Sequence, residues 1–209
     1  MSIMTTWGYK LTGVDAVPGM MTLTEFNAIT ANKYLSDERA EPDIKAATSA
    51  IRNYCGWHVF PSLACELDTT LFDKAVSITD RMLMIQLPAT FVSSIESIRI
   101  NEVEYDETYV LMPNGILRVY GISWSHMRSW SPIVIKYTAG LPEGAADGIK
   151  ELIAHRVTHA LESSGGVQSE TAGGVSITYN SSWINGSRAT ALADDNKEVL
   201  NPYRLQGVF

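Results

Sequence analysis

The sequence predicts an α+β fold: a small helical bundle with an inserted antiparallel β-unit and an extended C-terminal segment. Three observations lead there. Two stretches, 42–55 and 149–161, repeat apolar residues at helical spacing. The chain between them, from His58 to Tyr137, alternates with a period of two. Everything from Ser163 onward has strand chemistry and apolar anchors but too little apolar content for a core of its own. The chain has 209 residues, 45% apolar and 19% charged, which suits one large or two small globular domains.

In chain order, residues 1–21 show no periodicity and hold Pro18-Gly19, so they read as an N-terminal arm, extended or mobile. Thr22 and Glu25 have capping-box spacing, and Leu23, Phe26 and Ile29 give the short helix that follows one apolar side. Pro42 suits the first turn of a second helix. There Ile44, Ala47, Ile51, Tyr54 and Cys55 recur at helical spacing, and Gly56 stands where a left-handed C-terminal cap belongs. Leu83, Ile85 and Leu87 alternate with polar or flexible residues, as do Ile98 and Ile100. Tyr109–Leu111 and Ile116–Tyr120 flank Met112-Pro113-Asn114-Gly115, a hairpin signal centred on Asn114-Gly115. Ile133–Tyr137 is a further strand. Pairing must be antiparallel, because the stretch offers no crossover helices.

After a turn with Gly140, Pro142 and Gly144, Asp147 can cap a helix carrying Ile149, Leu152, Ile153, Val157, Ala160 and Leu161 on one face. This helix is expected to pack on 42–55. The implied organisation is an arm (1–21), a helical bundle (22–57 and 138–164), an inserted antiparallel β-unit (58–137) and a C-terminal segment and tail (165–209).

The formal net charge is −7 without a basic run, which argues against a surface that grips phosphates. An acidic surface would repel DNA and let it slide past. Cys55 and Cys65 could form one bridge, but two buried free thiols in a reducing compartment are the expectation. Neither a signal-peptide layout nor a membrane-length apolar run is present in the sequence.

Glu151, His155 and His159 stand four apart and could in principle hold a divalent metal. They lie opposite the apolar stripe, and a solvated or subunit-facing polar side is the stronger reading. Arg156 falls inside the apolar sector. It should snorkel at the edge of the stripe; the sharper alternative is an ion pair across a subunit contact. Gly165-Gly166 and Gly173-Gly174 precede neither a Lys-Ser/Thr pair nor a helix, so flexibility or close backbone approach explains them better than a phosphate loop. Ser163, Ser164, His126, His58 and Cys55 form no recognisable catalytic signature. Trp124, Trp130 and Trp183 lack a basic groove, so interface or core roles suit them better than base stacking. No catalytic residue, cofactor or metal is therefore expected.

Three stretches carry a family resemblance. One joins Thr22-Leu23-Thr24-Glu25-Phe26 to the 42–55 helix and Gly56-Trp57. Another holds Leu87-Pro88, Val92–Ile98 and Gly115–Val119. The last runs from Ile133–Gly140 through the 149–161 helix to Ser169–Ile177 and Leu200–Leu205. In this order they resemble the head-to-tail connector proteins of tailed bacteriophages, the adaptors. The resemblance covers most of the chain from residue 22, apart from 180–197.

The resemblance implies a non-enzymatic virion protein of the neck, made in the host cytoplasm. It would form a homo-oligomeric ring, usually dodecameric, under the portal protein. Such a ring extends the DNA channel without sequence-specific binding and offers a surface to a stopper or tail-completion protein. It makes the C-terminal segment a portal-docking element, so Gly173, Gly174, Val175, Ile177, Tyr179, Tyr203, Arg204 and Leu205, with Arg156 at a subunit contact, become candidate interface residues. Val175, Ile177 and Tyr179 would share one face of a strand added to a partner's sheet. Truncation after Ser164 should then spare the fold and abolish portal binding. The alternatives are another neck protein (stopper or tail completion) and, further off, a metal-binding protein or enzyme using Glu151, His155 and His159.

Overall fold

A computed structural model describes residues 2–69, 76–79, 82–106, 108–121, 132–162, 169–172, 175–178 and 194–205. The fold is α+β, as the change of period predicts. The chain divides into two units: residues 1–18, 55–143 and 202–209 form one, and 19–54 with 144–201 the other.

Among the described residues the first unit holds ten strands: β1 (Ser2–Met4), β2 (Lys10–Thr12), β3 (Leu63–Asp68), β4 (Val76–Thr79), β5 (Met82–Gln86), β6 (Val92–Ile100), β7 (Val103–Glu104), β8 (Tyr109–Met112), β9 (Ile116–Tyr120) and β10 (Ile133–Ala139). They form a six-stranded sheet, β1-β2-β3-β10-β6-β7, and a four-stranded sheet, β4-β5-β9-β8. Every pairing is antiparallel.

The six-stranded sheet buries one face. On β10, Ile133, Ile135, Tyr137 and Ala139 are buried while Lys136 between them is exposed. The register sets Ile135 opposite Leu67 and Ile98, and Cys65 opposite Tyr137 and Leu11, so these apolar side chains share a side. On the other face Glu66 lies opposite both Lys10 and Lys136, and Lys10 bonds to it at 3.0 Å.

Residues 1–21, which read as an arm, carry the β1–β2 hairpin, and β2 adds to β3. Strands of three residues are too short for alternation to show in the sequence. Tyr9 and Leu11 are nevertheless buried. Tyr9 Oη lies 2.7 Å from His58 Nδ1, and His58 Nε2 lies 2.9 Å from the carbonyl oxygen of Ala139. A carbonyl only accepts, so Nε2 carries the proton and Nδ1 accepts from the tyrosine hydroxyl. The backbone N–H of His58 returns a bond to the same hydroxyl at 3.1 Å.

In the four-stranded sheet Leu83, Ile85, Leu117 and Val119 form the buried face. The hairpin expected at Asn114-Gly115 joins β8 to β9. Both turn residues have positive φ, 63° and 73°. A side chain at Gly115 would also place its Cβ 2.0 Å from the Ala89 carbonyl oxygen, so glycine is required there twice over.

The second unit holds α1 (Leu23–Ile29), α2 (Ala40–Cys55, its last residue counted with the first unit), α3 (Asp147–Glu162), a hairpin of β11 (Ser169–Ala172) and β12 (Val175–Thr178), and α4 (Asp194–Leu200). The capping box forms as its spacing foretells: Glu25 N–H donates to Thr22 Oγ1 at 3.2 Å, and Thr22 N–H to Glu25 Oε2 at 2.7 Å. On α1 only Phe26 of the expected apolar trio is buried; Leu23 and Ile29 are exposed. On α2, Ile44, Ala47, Ile51 and Cys55 are buried as their spacing requires, and Gly56 ends the helix at φ 79°. Among the described residues α1 packs on α3. Lys150 of α3, 7% exposed, donates to Glu25 Oε1 at 2.6 Å. The α4 helix begins inside the polar stretch 180–197, for which the sequence suggested no element.

Candidate assembly interface

Residues 202–205 belong to the first unit. Following α4, Asn201–Tyr203 makes one 3-10 turn, and the chain then runs past the end of α2. Leu205 N–H donates to the carbonyl oxygen of Cys55 at 2.9 Å. The indole N–H of Trp57 donates to the carbonyl oxygen of Tyr203 at 2.6 Å, and Thr90 Oγ1 approaches the same oxygen at 3.5 Å. Gly56 presents its bare backbone to Leu205: a Cβ there would sit 3.6 Å from Leu205 Cδ1. The left-handed cap of α2 therefore both ends that helix and opens a seat for a leucine. Trp57 is fully buried, Tyr203 and Leu205 are half-buried, and Arg204 is exposed.

Of the candidate interface residues, Tyr203, Arg204 and Leu205 are thus brought together, with their backbone already engaged by their own chain. The residues that hold them, Trp57 and Thr90, were not among the sequence candidates. Only Gly56-Trp57 directly after a helix hinted at them. The contact runs through main-chain carbonyl and amide groups, which no residue pattern discloses.

The second candidate is the β11–β12 hairpin, registered Ser169 to Thr178 and Ala172 to Val175. Val175 and Ile177 stand at alternate positions of β12, as the strand reading requires. Among the described residues β12 pairs with β11 alone, which leaves its outer edge without a strand. Gly173, Gly174 and Tyr179 lie outside the described residues, as do Ser163, Ser164, His126, Trp124, Trp130 and Trp183.

Arg156 departs from the expectation that it snorkels. It is 4% exposed, one turn after Ile153 and next to Val157, both buried on α3, and burial lowers the pKa of its guanidinium. Glu151 and His155 are exposed, on the opposite side of α3. With Ile29, Thr30, Lys33 and Tyr34 they line a shallow cavity of about 340 Å³. His159 does not reach it. Among the described residues no three His, Cys, Asp or Glu side chains come together as a metal site. Nearby, Glu162 accepts from Lys33 and from Tyr34, at 2.5 and 2.6 Å, and these bonds hold its carboxyl below the usual range.

Cys55 and Cys65 are both free and buried. Burial pushes each thiol up to about 12, with the charge of Arg204 opposing the rise at Cys55. Neither thiol is poised as a nucleophile at neutral pH. His58 is fully buried and engaged with Tyr9 and Ala139, so it does not serve as an accessible base. Among the described residues no helix is long and apolar enough to cross a membrane.

The family model for head completion proteins matches residues 20–204. The match takes in both helices of the capping and C-cap signals, both large sheets from β3 onward, and the C-terminal segment as far as Arg204. The β1–β2 hairpin falls outside it. No curated protein matches the chain.

Proposed function

The chain belongs to the head completion protein family, and from that membership, which makes it a structural component of the phage head and neck, we propose that it is the adaptor of a tailed phage. In this reading copies of the chain assemble as a ring, dodecameric in the virion, beneath the portal protein. The ring continues the DNA channel and presents a surface to a stopper or tail-completion protein. Its work is mechanical and not catalytic.

The observation that carries this reading is the outer edge of β12. An unpaired strand edge offers a row of N–H and C=O groups that another sheet can complete. Val175 and Ile177 alternate along it and would supply side-chain specificity, with Gly173, Gly174 and Tyr179 flanking. A formal charge of −7 supports a lumen that DNA traverses without adhering.

Tyr203–Leu205 needs a more guarded role at the portal, because its backbone is committed to Cys55 and Trp57. Truncation after Ser164 would remove that contact as well, so it no longer separates docking from folding. The cleaner variant deletes residues 169–178 alone. Pull-down with purified portal, followed by electron microscopy of the complex, tests the proposal. A ring under the portal with the full chain, and loss of portal binding on deleting 169–178, is the expected result. A chain that binds tail tube and ignores portal would overturn it in favour of a tail-completion role.

A further inference from the structure

The seat formed by Cys55, Gly56, Trp57 and Thr90 is an intramolecular receptor for the chain's own end, and its form allows exchange between copies. Its bonds are to main-chain groups: Leu205 N–H to the Cys55 carbonyl, and Trp57 Nε1–H to the Tyr203 carbonyl. The side-chain element is Leu205 against the bare face of Gly56. The preceding helix is anchored by Leu200, which is fully buried, and by Tyr54, whose hydroxyl donates to Asn201 Oδ1 at 2.7 Å. Residues 179–193 join this element to Thr178, a connection whose contour length is at most about 50 Å.

We propose that Asp194–Leu205 is an exchangeable clasp: in the assembled state it seats on the Cys55–Trp57–Thr90 receptor of a second copy of this chain, replacing the same contact made within one chain. Every bond made in one arrangement is remade in the other, so the two differ chiefly in effective concentration. Low concentration favours the closed monomer, and crowding of copies favours a chain-to-chain link. The inference concerns contacts between copies and does not depend on which neck protein the assembly meets.

Full-length variants test it. A Cβ at Gly56 would lie 3.7 Å from Leu205 Cβ, within the ~3.5–4.5 Å separation of disulfides. The double variant Gly56→Cys with Leu205→Cys should oxidise within one chain when dilute. Gly56→Cys and Leu205→Cys, prepared separately and mixed, can reach that disulfide only by exchange. A disulfide-linked dimer should then rise with concentration, several-fold above Leu205→Cys alone, which measures background from the buried native thiols. Because Gly56 has φ 79°, a second pair, Thr90→Cys and Tyr203→Cys joined by a short bismaleimide, repeats the test without altering the helix cap. A double variant that closes while both mixed pairs give only background at every concentration refutes exchange. A double variant that fails to close, together with an unlinked second pair, refutes the seat itself. Portal binding by a chain that never exchanges would leave the adaptor reading standing.

Discussion

Trp57 Nε1–H donates to the Tyr203 carbonyl at 2.6 Å across 146 positions of sequence, so Tyr203 is held by a residue two positions after α2. Replacing Trp57 with Phe keeps a large aromatic ring and removes the donor. The Tyr203 carbonyl would keep only the distant Thr90 hydroxyl. The expected cost is about 1–2 kcal/mol, read as a lower urea midpoint. Amide exchange at Leu205 should quicken in the same variant, because its bond to Cys55 depends on the same seating.

Glu25 and Lys150 contribute to the pH dependence of the second unit. Partial burial raises the Glu25 pKa, but the hydrogen bonds from Lys150 and Thr22 outweigh this and hold the carboxyl below its ordinary value. A group whose folded pKa is depressed adds stability above its unfolded pKa and loses it as pH falls through the folded one. Melting temperature should therefore drop on acidification below the ordinary glutamate value, and the drop should shrink in Glu25→Gln. At neutral pH that variant should lose about 2 kcal/mol, since Lys150 is nearly buried while Glu25 is one-third exposed. An acid limb of the same depth in wild type and Glu25→Gln would remove Glu25 from the account.

Cys55 and Cys65 titrate in the opposite sense. Burial raises both thiols to about 12, so the folded chain resists losing their protons. Stability from this source is intact below the unfolded thiol value and drains as pH rises through it. Thiol labelling at pH 7.5 should be negligible in the native protein and complete in denaturant. Rapid labelling of either cysteine under native conditions would contradict its burial.

Glycine substitutions separate required from permissive backbone. Gly115→Ala meets both a positive φ and the Ala89 carbonyl, and should cost more than about 3 kcal/mol. Gly148 in α3 has nothing within 4 Å of its missing Cβ, so Gly148→Ala should stabilise by about 0.5–1 kcal/mol. Thermal melts of the two variants should move in opposite directions.

Legibility followed the physics of each signal. The capping box, the Gly56 cap and the Asn114-Gly115 turn were readable because each needs particular side chains at fixed spacing. The β10 strand was readable because seven residues show the alternation plainly. The N-terminal hairpin and α4 were not, since elements of three and seven residues fall below the length at which periodicity decides. Leu23 and Ile29 misled for the same reason: on a seven-residue helix one buried Phe26 satisfies the packing. Arg156 shows the limit of the wheel, which places a side chain on a face without saying how deep that face lies.

The place of β10 in its sheet has a consequence for biosynthesis. It lies between β3 and β6, yet it is the last strand of that sheet to be translated. When β3 has left the ribosome, its partner on one side is already available in the β1–β2 hairpin, while its other edge stays open. At 5–20 residues per second that edge waits roughly 3–13 s for residue 133. Slower elongation lengthens this interval and cooling weakens the hydrophobic drive to misassociate, so yield of soluble chain should depend on how translation speed and temperature are balanced.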